Sequence, residues 1–339
     1  MSTPRDTATH RATRDSARGS TRAAGRPTGS AASAGASSGS VTAALVGRNL
    51  RVFLRDRGKV FFSLLAPLVL LMLYVLFLGK MQVDSMSGTW PQADEATINS
   101  FVYSWVLAGM VMITTLTASL SAMEGFVADR VAGRFKEFRV SPVRNTELVV
   151  GYMVSAVLIS TMISLSVLLV GSVVFGLLYD AWSTPTGYAQ AAGYTVLLCF
   201  VFSSLAALVV TLVHSEGAFA GLATMVGTLA GFLAFAYIPI GVVSSTVASV
   251  LNTLPFAQGS MLLRDPISGP LLEQMIAPIP DTGRAQAWTE LRNFFGFDSY
   301  IGDLQLQPWL VVAILVVLTV AFTALAAWRI RALTKSDMR

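Results

Sequence analysis

Chemically capable side chains are scarce in this chain, and they are unevenly placed. The densest group runs from Glu124 to Glu147 and holds five basic and four acidic residues. Within it Phe135 and Phe138 stand at i, i+3 spacing, so a short helix there has one aromatic face and one ionic face. A knob of this kind suits docking into a groove on another protein, with aromatic anchors and charges that set register. Asp129, Arg130, Arg134 and Glu137 carry the charge; Ser141-Pro142 ends the knob, and Asn145 or Thr146 can cap the next helix. The plainer reading, a loop whose charges are merely solvated, stays open.

Other chemistry is hard to assemble. The two histidines are His10, in a low-complexity stretch, and His214, beside Glu216; the one cysteine, Cys199, sits inside an apolar run. No nucleophile–base set, metal cluster or disulfide framework can be built from these. No G-x-x-x-x-G-K-[ST] phosphate loop occurs either. Glu124, Asp180, His214 and Glu216 lie at the ends of apolar runs, never in the middle. Ion-coupled transporters place carboxylates or histidines within the membrane to carry the ion. That class is therefore disfavoured and kept only as an alternative. If ATP drives this chain, the hydrolysing subunit is a separate polypeptide that holds the ATP and Mg, and this chain has no cofactor of its own.

The elements that must position the charged segment are apolar. Six runs, Val60–Leu78, Phe101–Met123, Leu148–Leu178, Ala189–Val213, Phe219–Ile238 and Trp309–Trp328, fill most of the sequence. A span needs about 20 apolar residues to cross a core of roughly 30 Å. Backbone in hydrocarbon must bond to itself, so runs of this length become helices. Hydrophobic residues make up 54% and charged residues 13%, against about a quarter charged in soluble domains. The predicted fold class is an all-α membrane protein of six transmembrane helices in residues 41–339, behind a basic tail at 1–40. The tail, rich in Ser, Thr, Ala, Gly and Arg, buries too little to order itself and is expected to be disordered. With the N-terminus inside, 20 of the 24 Lys and Arg residues fall on the cytoplasmic side, so both termini are expected there. The net charge of +5 then reflects topology, and no nucleic-acid partner is implied. Twenty Arg against four Lys, with abundant Ala and Gly, fits a GC-rich bacterial genome.

Between these runs the connections have their own character. Val46, Leu50, Phe53 and Leu54 keep helical spacing while Arg48, Arg51 and Arg55 occupy other faces. This predicts either an amphipathic helix in the inner interface, touching membrane lipid, or an extension of the first span. Pro239 should stop or kink the fifth helix. Val242–Leu254, too short to cross, reads as a re-entrant or interfacial helix. A Pro/Gly-rich stretch from Asp265 to Gly283 follows, then a short amphipathic helix at Ala285–Phe295.

In their order on this frame the motifs resemble the ABC-2 family of ABC exporter permeases. Members carry an acidic residue and arginine, a glycine, a glutamate and a Ser/Thr-Pro pair between spans two and three. Here Asp129-Arg130, Gly133, Glu137 and Ser141-Pro142 match, while Arg134-Phe135 departs from the Thr more usual there. Arg48 to Arg57 is similar to the family's connecting helix, Ser63 to Pro67 to its first-span opening, and Leu254-Pro255 to the pair after its outer helix. The resemblance implies a dimer with a second permease copy or paralogue, above two ATP-binding cassette subunits gripped through the segment from Asp129 to Pro142. It also implies a bacterial plasma membrane and an amphipathic substrate, such as a drug, antibiotic or lipid, passing between spans two and five. A lipid-linked glycan or a peptide is the alternative cargo. Both spans carry a stripe on one face: Tyr103, Leu107, Met110, Thr114, Thr117 and Ser121 in the second, and Gly217, Gly221, Thr224, Thr228, Gly231 and Phe235 in the fifth. Small residues permit close helix approach and hydroxyls can bond across it, so the stripes serve packing or form a mildly polar substrate wall.

Overall fold

The computed structural model describes residues 38–134, 145–302 and 304–336; the basic tail lies outside them up to residue 37. Its elements are α1 (Ser38–Arg55), α2 (Arg57–Leu73), α3 (Gly79–Thr89), α4 (Glu95–Val131), α5 (Asn145–Tyr179), α6 (Pro185–Leu212) and α7 (Glu216–Leu233). Then come α8 (Ser245–Leu251), α9 (Pro255–Ile276), α10 (Asp281–Phe295), β1 (Ser299–Ile301), β2 (Leu304–Leu306) and α11 (Pro308–Ser336). Among the described residues six helices are long and apolar enough to cross a membrane: Pro67–Thr89, Glu95–Val131, Leu148–Tyr179, Pro185–Leu212, Glu216–Leu233 and Pro308–Ile330. The six-span helical reading holds.

Asp56 starts α2 by accepting a hydrogen bond from the Lys59 N–H at 3.1 Å. The first span then runs unbroken through a π-helical stretch, Tyr74–Leu78, into α3, well past the end of its apolar run. Pro67 lies inside it. A proline cannot donate to the carbonyl one turn back, and the Ser63 carbonyl so released lies 3.2 Å from Thr117 Oγ1 of α4, a hydroxyl shared with the Ile113 carbonyl of its own helix at 3.1 Å. The hub of the bundle is α4. Buried residues make up 83% of its most apolar stretch, against between 17% and 33% for spans one, three, five and six. It packs on α2, α5, α6, α7 and α9. At 37 residues it is about 55 Å long, so its ends project beyond a hydrocarbon core of roughly 30 Å.

The segment between spans five and six departs most from expectation. α7 stops at Leu233, short of Pro239. Phe235 has a φ of 52°, and the amides of Ala236 and Tyr237 both donate to the Gly231 carbonyl, at 2.8 and 3.4 Å. The Tyr237 ring occupies the space a side chain at 231 would need, so this reversal requires glycine. The helix expected over 242–254 shrinks to α8, and the Pro/Gly-rich stretch is helical through Ile276 as part of α9. Two prolines, Pro266 and Pro270, sit inside α9. Pro270 has no N–H for the Pro266 carbonyl, which instead accepts from Ser183 Oγ at 2.6 Å. The amphipathic helix expected at Ala285–Phe295 is the greater part of α10. An antiparallel hairpin, with Ser299 opposite Leu306, adds a little strand to a fold expected to be all-α.

Candidate functional site

Both ends of α4 are anchored, and the end nearest the charged segment carries the chemistry. Asp129, in the last turn of α4, is 3% exposed. A buried carboxylate must be paired or hydrogen-bonded, and three donors reach it: Arg48 of α1, Tyr152 of α5 and Arg134 just past the end of α4. Burial lowers the Arg48 pKa, but its hydrogen bond to Asp129 and the carboxylate charge outweigh that and hold it above its usual value. Arg130, the next residue, points to another neighbour. Its Nη1 donates to the carbonyls of Val210 and Val213 at 3.4 and 3.3 Å, at the C-terminal end of α6, where a cation also complements the helix dipole.

Secondary ties surround this node. Asn49 Nδ2 donates to Ser155 Oγ at 3.2 Å, and Lys59 of α2 pairs with Glu124 of α4 at 3.6 Å. The Phe126 and Tyr152 rings meet edge to face at 5.2 Å. Gly133 ends α4 with a φ of 73°, a conformation that favours glycine, and its amide closes back on the Arg130 carbonyl at 3.1 Å. The ends of α1, α4, α5 and α6 are thus held together by two adjacent residues of α4.

The structure brings Asp129, Arg130, Gly133 and Arg134 into this node. Phe135, Glu137, Phe138, Ser141 and Pro142 lie outside the described residues. The sequence reading missed Arg48 and Tyr152 as partners. A tyrosine near the start of an otherwise apolar run was the available signal; Arg48 lies 81 residues before its partner and gave none.

The two stripes diverge. On α4, Tyr103, Leu107, Met110 and Thr114 are buried within this chain, and Thr117 and Ser121 are half-buried. Tyr103 stacks on Tyr179 of α5 at 3.6 Å, and Leu107 fits against Gly171. Most of this stripe packs the bundle, and Met110 also lines an apolar cavity between spans one and three. On α7, Gly217, Gly221, Thr224 and Thr228 are exposed, whereas Gly231 and Phe235 are buried. The two threonine hydroxyls bond back to the carbonyls of Ala220 and Thr224 in their own helix, at 2.9 and 3.0 Å.

At the far end of α4 a second buried charge fastens the bundle. Arg264 of α9 is 2% exposed and donates to the carbonyls of Ala234, Phe235 and Gly296, at 3.3, 2.6 and 3.1 Å. Its guanidinium lies 5.0 Å from the ring centroid of Trp105, whose Nε1 donates to the Phe295 carbonyl at 2.9 Å. These carbonyls end α7 and α10, where helices leave acceptors without partners. Nearby, Arg292 pairs with Asp265 and Asp298 at 2.8 and 2.9 Å.

No functionally curated protein matches the chain. Residues 78–328, from the first span to the last, match the family described as ABC-2 family transporter protein. The match spans the second to fifth of the six long apolar helices entirely, the end of the first and nearly all of the sixth. The chain belongs to the ABC-2 family of transporter proteins.

Proposed function

We propose that this chain is the permease of an ATP-driven exporter in a bacterial plasma membrane, with both termini cytoplasmic. In this reading the segment from Asp129 to Pro142 docks on an ATP-binding cassette subunit, which supplies ATP, Mg and hydrolysis. Phe135 and Phe138 act as anchors, and Arg134 and Glu137 set the register. A second copy or paralogue completes the permease, and the cargo is a hydrophobic or amphipathic small molecule such as a drug, an antibiotic or a lipid. The observation that carries the reading is the Asp129 node. It joins the root of the docking segment to α1, α5 and, through Arg130, α6, so motion of the ATPase is passed to several spans at once.

The test is co-purification. Replacing both Phe135 and Phe138 by Ala should strip the ATP-binding subunit from the permease, since each interface anchor contributes about 2 kcal/mol or more. Membrane expression should be unchanged. A double variant that is expressed normally, retains the ATPase and exports at the wild-type rate would sink the docking assignment.

A further inference from the structure

Spans one and three both pack on α4, and α4 floors the cleft between them. The cleft contains a cavity of about 210 Å³ with an apolar wall: Leu64, Leu68 and Leu71 of α2, Met110 of α4, and Val170 and Val174 of α5. It opens sideways, for Leu68, Val170 and Val174 stay 43%, 59% and 38% exposed. In a membrane such an opening faces lipid tails and not water. Sites for drug-sized ligands run from roughly 300 to 1,000 Å³ and include some polar groups. This one is smaller, and its one polar lining residue, Ser166, keeps its hydroxyl on the Met162 carbonyl at 2.7 Å, so the wall suits a length of single alkyl chain.

The rim of the cleft selects the head that goes with that chain. Arg57, Leu64 and Leu71 recur at seven-residue spacing along α2, so Arg57 lies on the cleft face about 10 Å nearer the basic end. Arg57 is exposed, as are Arg51 and Arg55 of α1, and none of the three forms an ion pair among the described residues. Lys59, by contrast, is occupied by Glu124. The opposite end of spans one to three is acidic, with Asp84, Asp94, Glu95 and Asp180 exposed against Lys80 alone. An anionic head is attracted to the first end and repelled from the second. Phe53, buried with Ile159 and Ile163, closes the basic end of the cleft. The chain must therefore enter sideways, across the exposed Phe61.

We propose that this cleft binds one acyl chain of an anionic phospholipid, with the phosphate held by Arg57. The proposal does not depend on what the protein transports or on its ATPase. It is tested on the purified chain by native mass spectrometry, after detergent stripping and reloading with phosphatidylglycerol or phosphatidylcholine of equal chain length. Wild type should retain one phosphatidylglycerol per chain in preference to phosphatidylcholine. Val170→Phe fills the cleft from α5 and Leu68→Phe fills it from α2, so misfolding of one leaves the other. Either should lower retention roughly tenfold, the loss expected when about two methylenes lose their burial. Val317→Phe, at a 65% exposed position on span six, which contributes no wall to the cleft, should retain lipid as wild type does. Arg57→Gln should bind both lipids equally. Full retention in a well-folded cleft-filling variant overturns the site, and an unchanged anionic preference in Arg57→Gln overturns the headgroup assignment.

Discussion

Asp129 and Arg264 are both buried charges, and the fold meets them by opposite means, with Arg264 Nε left without a partner among the described residues. Asp129 is met by cations and a phenol, whereas Arg264 is met by carbonyl oxygens and an aromatic face. The consequences of mutation differ accordingly. In Asp129→Ala, Arg48 and Arg134 can turn to water because their side chains are 39% and 55% exposed, so the destabilisation should stay near the cost of one lost buried hydrogen bond, about 1–3 kcal/mol. On the proposed function its larger effect is on coupling: ATP hydrolysis by the partner continues while transport falls, read by assaying both in proteoliposomes. Equal wild-type export would remove Asp129 from the coupling path. Arg264 has no access to water. Arg264→Met leaves three helix-end carbonyls without their donor, each deficit worth about 1–3 kcal/mol, and the end of α7 should loosen. Arg264→Lys, with a compact head in place of a planar fork, should recover only part. Hydrogen exchange over residues 231–243 is the measurement, and protection equal to wild type in Arg264→Met would show that the clamp is not needed.

At the scale of elements, carbonyls freed by prolines inside two long helices meet a hydroxyl from another segment, Thr117 of α4 and Ser183 of the α5–α6 connection. Thr117 Oγ1 serves the carbonyl freed by Pro67, and Ser183 Oγ serves the one freed by Pro270. Thr117→Val and Ser183→Ala should each lower the melting temperature in detergent, by an amount corresponding to about 1–3 kcal/mol for a buried unpaired acceptor. Combined they should add, since the two sites share no partner. Thr117→Ser should restore stability; if it melts like Thr117→Val, the methyl group matters and the hydroxyl does not. The same pairs explain what the sequence displayed and what it hid. Span number and approximate position were legible because length and hydropathy are local properties. The helical course of α9 was not, because prolines read as breakers and the donor that rescues the Pro266 carbonyl is 83 residues away. The early stop of α7 was equally hidden, since it depends on Tyr237 folding onto Gly231. At the node, Asp129-Arg130 and Gly133 were visible as charge and turn, but the Arg48 and Tyr152 partners are products of tertiary packing.

On the scale of the whole molecule, α4 forms a buried centre while spans one, three, five and six look outward. α4 is enclosed, whereas α7 presents Gly221, Thr224 and Thr228 beside Met225, Leu229 and Phe232, the last three 58%, 46% and 51% exposed. Because the threonine hydroxyls are satisfied within α7, this face is smooth and offers close van der Waals approach to another helix, the contact on which membrane helices associate. A second copy meeting through α7 fits the proposed permease dimer, and it can be tested with topology in one set of variants. The only native thiol, Cys199, is buried, so single-cysteine substitutions report against a quiet background. Ser85→Cys and Thr282→Cys, both at exposed positions, should react with an impermeant thiol reagent in intact cells, and Ser141→Cys should react only after the membrane is opened. Thr224→Cys and Thr228→Cys should form disulfide-linked dimers on mild oxidation in membranes, while Leu177→Cys, the more exposed position on α5, should not. Dimers through Leu177→Cys with none through α7 would move the interface to span three, and labelling of Ser141→Cys in sealed cells would invert the orientation of the whole chain.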